Sequence, residues 1–221
     1  MTEPAPTRSP GTAAADPAPG VSGGGAGVVA GLLLAAGGGH RLGDHPKALL
    51  THHGRPLVEH AVRALRDGGC DPVHVVLGAA ADRVRAAADL TGCVVLENPA
   101  WTRGMGTSLR AGLASLSPTA AGAVLVTLVD QPGVGAAAVA RLRSAYTSPS
   151  VLAAAGYGGR RGHPVLIGAD RWAGVAAAAR GDRGARAYLR EHTGSLLLVE
   201  CGDIADPRDI DTPADLGLLS P

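Results

Sequence analysis

Uninterrupted apolar runs alternate along this chain with segments that are apolar on one helical face only. The front half of residues 28–47 is a run of Val, Leu and Ala without charge, and residues 123–129 form another such run. Runs of this kind are typical of strands buried on both faces of a sheet. Residues 56–67 instead place apolar side chains at helical spacing, and Gly68 follows them. This spacing predicts an amphipathic helix that ends at the glycine.

The remaining pattern continues the alternation. Further strands are predicted at 73–77, 93–96, 151–155, 164–167 and 196–199, and further helices at 79–90, 105–116, 134–146, 181–192 and, briefly, from Thr212. Residues 156–163 are predicted to be a loop. Strands that alternate with helices imply an α/β fold of three layers, α/β/α, with a mostly parallel sheet. The ligand site of such a fold lies beyond the carboxyl ends of the strands.

Residues 1–27 have no hydrophobic period and consist largely of Pro, Ala, Gly, Ser and Thr. A segment of this composition buries too little apolar area to offset the entropy of ordering. We therefore expect a disordered tail at 1–27, followed by one domain at 28–221.

Three glycines follow the first predicted strand, and two cations follow the glycines. Gly37, Gly38 and Gly39 allow positive φ and leave N–H groups free for an anion. Lys47 is the only lysine of the chain, although Lys and Arg together number 20. An ammonium is a compact point charge that suits a phosphate oxygen, so we expect Lys47, together with Arg41, to contact phosphate. The alternative is a surface lysine in an arginine-biased composition.

Several further side chains are candidates for the same edge of the sheet. Asp130 follows a buried strand, where a carboxylate can hold a magnesium ion that bridges phosphates, or can cap a turn. Asp209 and Asp211 offer a second carboxylate, although Asp211 can equally be a helix-start acid. His163, between Gly162 and a proline, can donate to a substrate oxygen or serve as a turn residue.

Composition excludes several classes of function. The formal net charge is +1 and aromatic residues make up 2%, which disfavours a nucleic-acid surface. Cys70, Cys93 and Cys201 have no metal-ligand or disulfide spacing, and no apolar run is long enough to span a membrane. We expect a soluble, cytoplasmic protein. The glycine loop matches neither a P-loop nor a dinucleotide-binding turn.

The loop LLAAGGGHRLGDHPK resembles the LAAGxSxRMGxxK signature of the MobA-like NTP transferase family. ENPAWTRGMGTSLRAGL, LVDQP, GHPVL, GDRGAR and DIDTPADL follow in the order found in its molybdenum cofactor cytidylyltransferase branch, the MocA-like proteins. The resemblance spans residues 28–218. It implies a Rossmann-like, GT-A-like nucleotidyltransferase fold and transfer of NMP from an NTP to a phosphorylated acceptor, with release of pyrophosphate.

The resemblance also implies roles for individual residues. Catalytic roles fall on Lys47, Arg41 and Asp130, and Mg²⁺ binding falls on Asp130 and Asp211. Nucleotide binding is implied for Leu34, Ala35, Ala36, Gly37, Gly38, Arg41, Lys47 and Gly78. Acceptor binding is implied for Gly104, Met105, Gly106, Ser108, Gly162 and His163.

The implied substrates are an NTP, with CTP favoured over GTP, and a molybdopterin-type or other phosphorylated small molecule. A molybdoenzyme or its maturation factor is a further implied partner. Guanylyl transfer, transfer to a sugar phosphate and a non-catalytic cofactor chaperone remain the alternatives. The chain departs from the signature at Gly39, where the family has Ser, at Leu42, where it has Met, and between Gly43 and Lys47, where three residues replace two.

Overall fold

The computed structural model describes residues 1–2, 27–43, 45–117 and 119–219. The tail predicted at 1–27 lies almost wholly outside the described residues, so this prediction stays untested.

The strands are β1 (Val29–Ala35), β2 (Thr51–His52), β3 (Arg55–Pro56), β4 (Val73–Leu77), β5 (Cys93–Glu97), β6 (Ala123–Leu128), β7 (Leu152–Tyr157), β8 (Arg160–Gly168) and β9 (Leu197–Glu200). Seven of them form one sheet in the order β5-β4-β1-β6-β8-β7-β9. The pairs β1–β4, β1–β6, β4–β5 and β7–β9 are parallel, and only β8 runs antiparallel to its neighbours. The prediction of a mostly parallel sheet is confirmed.

The helices are α1 (Leu57–Asp67), α2 (Ala81–Ala87), α3 (Met105–Leu116), α4 (Ala136–Arg143), α5 (Trp172–Ala178) and α6 (Arg186–Glu191). Side chains of α1, α2 and α4 pack into the core on one face of the sheet. Those of α3, α5 and α6 pack into the core on the other face. The predicted three-layer architecture is therefore confirmed.

Strand β1 shows why the layers form. All seven of its residues are buried. Because successive side chains of a strand point to opposite faces, Val29 and Leu33 enter one core while Leu32 and Leu34 enter the other. Helix α3 approaches this strand so closely that a Cβ at Gly112 would overlap the Leu32 side chain. An uncharged apolar run is the sequence that such a two-sided environment requires.

Several predicted elements differ from the observed ones. The loop predicted at 156–163 is mostly strand, because β7 and β8 pair as an antiparallel hairpin whose turn is Gly158–Gly159. Helix α6 begins at Arg186, after a 3-10 turn at Gly181–Arg183. Residues Pro213–Leu219 form a 3-10 helix. Helix α5 was not predicted, since its Ala- and Gly-rich sequence gives almost no periodic signal.

Two further findings concern the cysteines and the length of the helices. The three cysteines are free thiols. Among the described residues, no helix combines the length and the apolar character that crossing a membrane requires.

Candidate active site

The carboxyl ends of β1 and β6 bring the glycine loop and Asp130 to the same edge of the sheet. The two strands are parallel neighbours, so the segments that follow them leave the sheet side by side. The Ile210 N–H donates to the Asp130 carbonyl at 2.9 Å. This hydrogen bond brings the C-terminal segment, with Asp211, to the end of β6. Three stretches that are distant in sequence therefore meet at one place.

Lys47 lies between the two carboxylates that were predicted to hold a metal. Its Nζ donates to Asp130 Oδ2 at 2.7 Å and to Asp211 Oδ1 at 2.5 Å. Arg41 lies further out, with its Nη1 3.9 Å from Asp211 Oδ2 and its side chain 76% exposed. The side chains of Lys47 and Asp130 are largely buried, at 14% and 19% exposure. The structure thus brings together the four residues predicted for catalysis and metal binding.

The charges of this cluster are mutually stabilising. Burial by itself lowers the pKa of the Lys47 amine, but the charges and hydrogen bonds of Asp130 and Asp211 outweigh it, and the net effect is a raised pKa. Asp209 lies on the edge of the same cluster. Burial, followed by the charge of Asp130, raises the pKa of the Asp209 carboxyl. Lys47 therefore stays an ammonium, the form that the prediction of a phosphate contact requires.

Two of the three departures from the family signature, at Gly39 and in the spacer before Lys47, are structurally connected. Gly39 has φ +68°, and a Cβ at this position would overlap the carbonyl oxygen of His45. His45 belongs to the three-residue spacer between Gly43 and Lys47, which is longer than in the signature. The longer spacer passes directly over position 39, so the serine of the signature would not fit there.

The other side of the glycine loop is covered by Trp101. A Cβ at Gly38 would contact its ring, and a Cβ at Gly78 would overlap both Trp101 and Ala36. The Ala79 N–H donates to the Ala36 carbonyl at 3.1 Å. Gly78, which was predicted for nucleotide binding, therefore lies beside the glycine loop. Only a residue without a side chain fits at this position, because the indole of Trp101 covers it.

The acids of the cluster suit a magnesium ion. Asp130 and Asp211 each place a carboxylate oxygen against the same nitrogen, so they are close enough to share one cation. Mg²⁺ prefers oxygen ligands and is commonly held by one or two carboxylates together with substrate phosphates and water. Within the described ranges, no group of three or more His, Cys, Asp or Glu side chains is arranged to hold a metal. The two carboxylates thus fit a metal that a nucleotide helps to hold.

A cavity of about 500 Å³ lies next to this cluster, between the sheet and the layer of α3 and α6. Its floor is aliphatic and consists of Leu34, Leu109, Val126, Val165, Ile167 and Leu189. Its polar lining includes five arginines, namely Arg160, Arg161, Arg183, Arg186 and Arg208. Gln131 and Asp209 connect it to the cluster, because they line the cavity while Gln131 follows Asp130 in the chain.

His163, which was predicted to bind the acceptor, lies at the wall of this cavity. The Tyr157 hydroxyl donates to the His163 carbonyl at 2.6 Å and so connects the two strands of the β7–β8 hairpin. Burial lowers the pKa of the His163 imidazole to about 4, and the charges of Arg186 and Arg161 act in the same direction. At neutral pH, His163 is therefore an uncharged donor or acceptor among cations.

The predicted acceptor residues divide into two groups. Met105, Gly162 and His163 line the cavity. Gly104 and Gly106 instead pack against the backbone of residues 179–181, and the buried Ser108 hydroxyl accepts a hydrogen bond from Asn98 Nδ2 at 3.0 Å. These three residues shape the start of α3 and do not line the cavity.

Gln131 and the arginines of the cavity were not predicted as site residues. A signal was present, because the arginines are concentrated immediately beside the GHP and GAR motifs. Leu34, predicted for nucleotide binding, lines the cavity.

Comparison with known proteins places these features in a family. The sequence profile described as the MobA-like NTP transferase domain matches residues 31–196. Nicotine blue oxidoreductase of Paenarthrobacter nicotinovorans is 42% identical over 191 residues, which are 83% of this chain and 92% of that protein. The homolog of Mycobacterium tuberculosis Rv0371c from Mycobacterium sp. strain JC1 has a TM-score of 0.74 at 31% identity, with 86% of this chain and 94% of that chain covered.

A manganese complex of Rv0371c from Mycobacterium tuberculosis H37Rv has a TM-score of 0.68 at 28% identity. The superposition covers 87% of this chain and 97% of that chain. The likeness therefore extends over nearly the whole of the compared proteins.

Proposed function

The chain belongs to the MobA-like NTP transferase family, and from this premise we propose that it is a Mg²⁺-dependent cytidylyltransferase. It transfers CMP from CTP to the terminal phosphate of a molybdopterin-type acceptor and releases pyrophosphate. The observation that carries this proposal is the position of Lys47 between Asp130 and Asp211, at the glycine loop. Action in the cytoplasm is part of the proposal, and the three free thiols support it.

The reaction needs no protein nucleophile. An oxygen of the acceptor phosphate attacks the α-phosphorus of the nucleotide, a new P–O bond forms, and the bond to the leaving pyrophosphate breaks. The work of the protein is to hold the two substrates in line and to neutralise charge. The backbone of the glycine loop, the Lys47 ammonium and the Arg41 guanidinium do this on the nucleotide side.

Asp130 and Asp211 would hold the Mg²⁺, which neutralises phosphate charge when it is bound. The manganese complex of Rv0371c supports a divalent metal in this family. Both acids already contact a cation in the form of Lys47. Lys47 can turn from the acids to the phosphates when the nucleotide arrives, because its side chain is long and flexible.

The test is an assay of pyrophosphate release with Mg²⁺, molybdenum-loaded molybdopterin and each of the four NTPs in turn. We expect release with CTP only. Release with GTP instead would make the protein a guanylyltransferase, and turnover with a sugar phosphate in place of the pterin would make it a sugar-phosphate nucleotidyltransferase. An Asp130→Asn variant that still supports molybdoenzyme maturation in cells would indicate a non-catalytic chaperone.

A second candidate rests on the relative named nicotine blue oxidoreductase, which shares 42% of its residues with this chain over 92% of its own length. In this case the cavity would receive nicotine blue, NADH or NADPH would transfer a hydride to it and be oxidised to NAD⁺ or NADP⁺, and water would supply the second proton. The measurement is bleaching of nicotine blue with either reductant in the absence of any NTP. Bleaching that survives Asp130→Asn would favour this function over nucleotidyl transfer.

A further inference from the structure

We propose that the cavity beside the active site binds an acceptor with an apolar body and two separate anionic groups, held by Arg160 and Arg161 on one element and Arg183 and Arg186 on another. The inference rests on the proposed function in that it names the chemical class of the acceptor. It assigns acceptor binding to four arginines for which the family resemblance implied no role. It also predicts that a sugar phosphate is not the acceptor.

The first argument is the uncompensated charge of the cavity. Of the five arginines in its lining, Arg208 is neutralised by Asp206, whose carboxylate accepts from the Arg208 Nε at 2.8 Å. The other four form no ion pair with any residue in the described part of the chain. Of the described residues that line the cavity, Asp209 is the only acid. This concentration of positive charge contrasts with a formal net charge of +1 for the whole chain.

The second argument is how these four arginines are distributed. Arg160 and Arg161 begin β8, whereas Arg183 lies in the 3-10 turn before α6 and Arg186 is the first residue of α6. All four are exposed, so water screens their repulsion in the free protein and their guanidinium groups remain available. A guanidinium pairs with phosphate or carboxylate in a two-pronged geometry. Two pairs of arginines on two elements offer more donors and more charge than one phosphate can use, and they suit two anions.

The third argument is the chemistry of the floor. Besides the arginines, the cavity is lined by aliphatic side chains of β1, β6, β8, α3 and α6. Directly against these aliphatic side chains, the hydroxyls of a sugar would lose their water without gaining hydrogen bonds, which is unfavourable. A flat or apolar ring system instead gains from burial against this surface. The body of the acceptor is therefore apolar.

The fourth argument is an unpartnered acceptor atom. Gln131 is 9% exposed, and its Nε2 donates to the Pro207 carbonyl at 3.0 Å and to Asp209 Oδ1 at 2.8 Å. Because a backbone carbonyl only accepts, these contacts fix which end of the amide carries the nitrogen. The buried Oε1 has no hydrogen-bond partner in the described residues. Buried polar atoms are nearly always paired, so this oxygen is suited to an N–H or O–H of the ligand.

The test uses probes whose chemistry is known, without NTP or metal. Binding of naphthalene-1-sulfonate, naphthalene-1,5-disulfonate and ribose 5-phosphate is measured by isothermal titration calorimetry. We expect the disulfonate to bind about tenfold tighter than the monosulfonate, since one more charge-assisted contact forms. Ribose 5-phosphate should bind more weakly than the disulfonate. Equal affinity for the two sulfonates, or tighter binding of the sugar phosphate, would overturn the proposal.

Helix α6 provides a matched pair of variants. Arg186→Gln should reduce the disulfonate affinity about tenfold and the monosulfonate affinity less. Arg190→Gln, on the same helix but outside the lining of the cavity, should leave both affinities unchanged. Equal losses in the two variants would mean non-specific attraction and would contradict the proposal. Thermal unfolding and the affinity for CTP with Mg²⁺ show whether Arg186→Gln remains folded.

Gln131→Met tests the unpartnered oxygen. A naphthol disulfonate should bind the wild-type protein more tightly than the plain disulfonate, and this difference should disappear in the variant. A difference that persists would remove Gln131 from the acceptor site. These readouts are independent of catalysis, so cytidylyl transfer could fail while the probes still bind, and the probes could fail to bind while pyrophosphate is still released.

Discussion

The two halves of the site carry charge in opposite ways. At the glycine loop, one ammonium contacts two carboxylates, with Nζ–O distances of 2.7 and 2.5 Å, so positive and negative charges are already paired. In the neighbouring cavity, four arginines belong to the lining and have no acid partners among the described residues, and Asp209 is the only described acid of that lining. The first region can take a metal together with a triphosphate, because it has both signs of charge to offer. The second has an excess of positive charge and so favours anions. The comparison teaches that charge distinguishes the two regions, whatever the other properties of their lining.

The largest expected effect comes from removing a carboxylate from the paired region. Asp130→Asn should lower the rate of pyrophosphate release by about 100-fold or more, because a charge-assisted contact to the reacting groups is lost. Steady-state pyrophosphate release measures this effect. Binding of naphthalene-1,5-disulfonate should stay unchanged, and its loss in this variant would show that the two regions do not act separately.

The second largest effect is expected on metal affinity when Lys47, whose ammonium lies between Asp130 and Asp211, is replaced. Lys47→Met should bind Mn²⁺ about tenfold more tightly than the wild-type protein in the absence of nucleotide, because the carboxylates lose their internal counter-charge. Electron paramagnetic resonance of free Mn²⁺ measures this affinity directly.

Arg41→Gln is the matched control for the ammonium. Its guanidinium lies 3.9 Å from Asp211 and is 76% exposed, so its removal should change the Mn²⁺ affinity much less. An unchanged Mn²⁺ affinity in Lys47→Met would mean that the lysine does not compete with the metal for Asp130 and Asp211. The ion pairs between Lys47 and the two acids would then have no effect on metal binding.

A smaller effect should appear in the pH dependence of stability. Burial lowers the pKa of His163 from 6.5 to about 4, with Arg186 and Arg161 acting in the same direction. Between these two values the unfolded chain binds a proton that the folded protein does not bind, so the free energy of unfolding falls as the pH falls. His163→Gln should flatten this slope between pH 6.5 and about 4.

The measurement is thermal unfolding of both proteins across that range. His60 and His74, whose pKa values burial also lowers, contribute to the slope in both proteins and cancel in the difference. Identical slopes would contradict the buried, neutral state of His163.

The smallest effect tests whether the arginines act on the cavity at short range. Arg161→Gln should raise the pKa of His163 from its depressed value, because one of the two cations that oppose its protonation is gone. An NMR titration of the imidazole measures this shift. Arg190→Gln should leave the pKa of His163 unchanged. An equal shift in this control would show that distant arginines influence the imidazole as strongly as those of the cavity.

Much of the fold could be predicted because buried strands and helices have characteristic local patterns of apolar residues. The uncharged runs that became β1 and β6 are typical of strands buried on both faces, and the one-sided spacing of α1 is typical of a helix that packs on a sheet. The outer part of the β7–β8 hairpin has no such pattern, although the strands at 151–155 and 164–167 were predicted. Its residues 156–163 are rich in glycine and arginine, and they form strand because partner strands lie beside them, a contact that local propensity does not encode.

The sequence by itself determined the order of the elements and the chemistry available at the strand ends: a glycine loop, a single lysine and an acid after a buried strand. These follow from periodicity and residue type, which are local. Only the tertiary structure decided that Lys47 contacts both acids, that the longer spacer passes over Gly39, and that arginines of β8 and of the α6 region share one cavity with Gln131. Those facts depend on which distant segments the sheet order brings together, and no local pattern records such a distance.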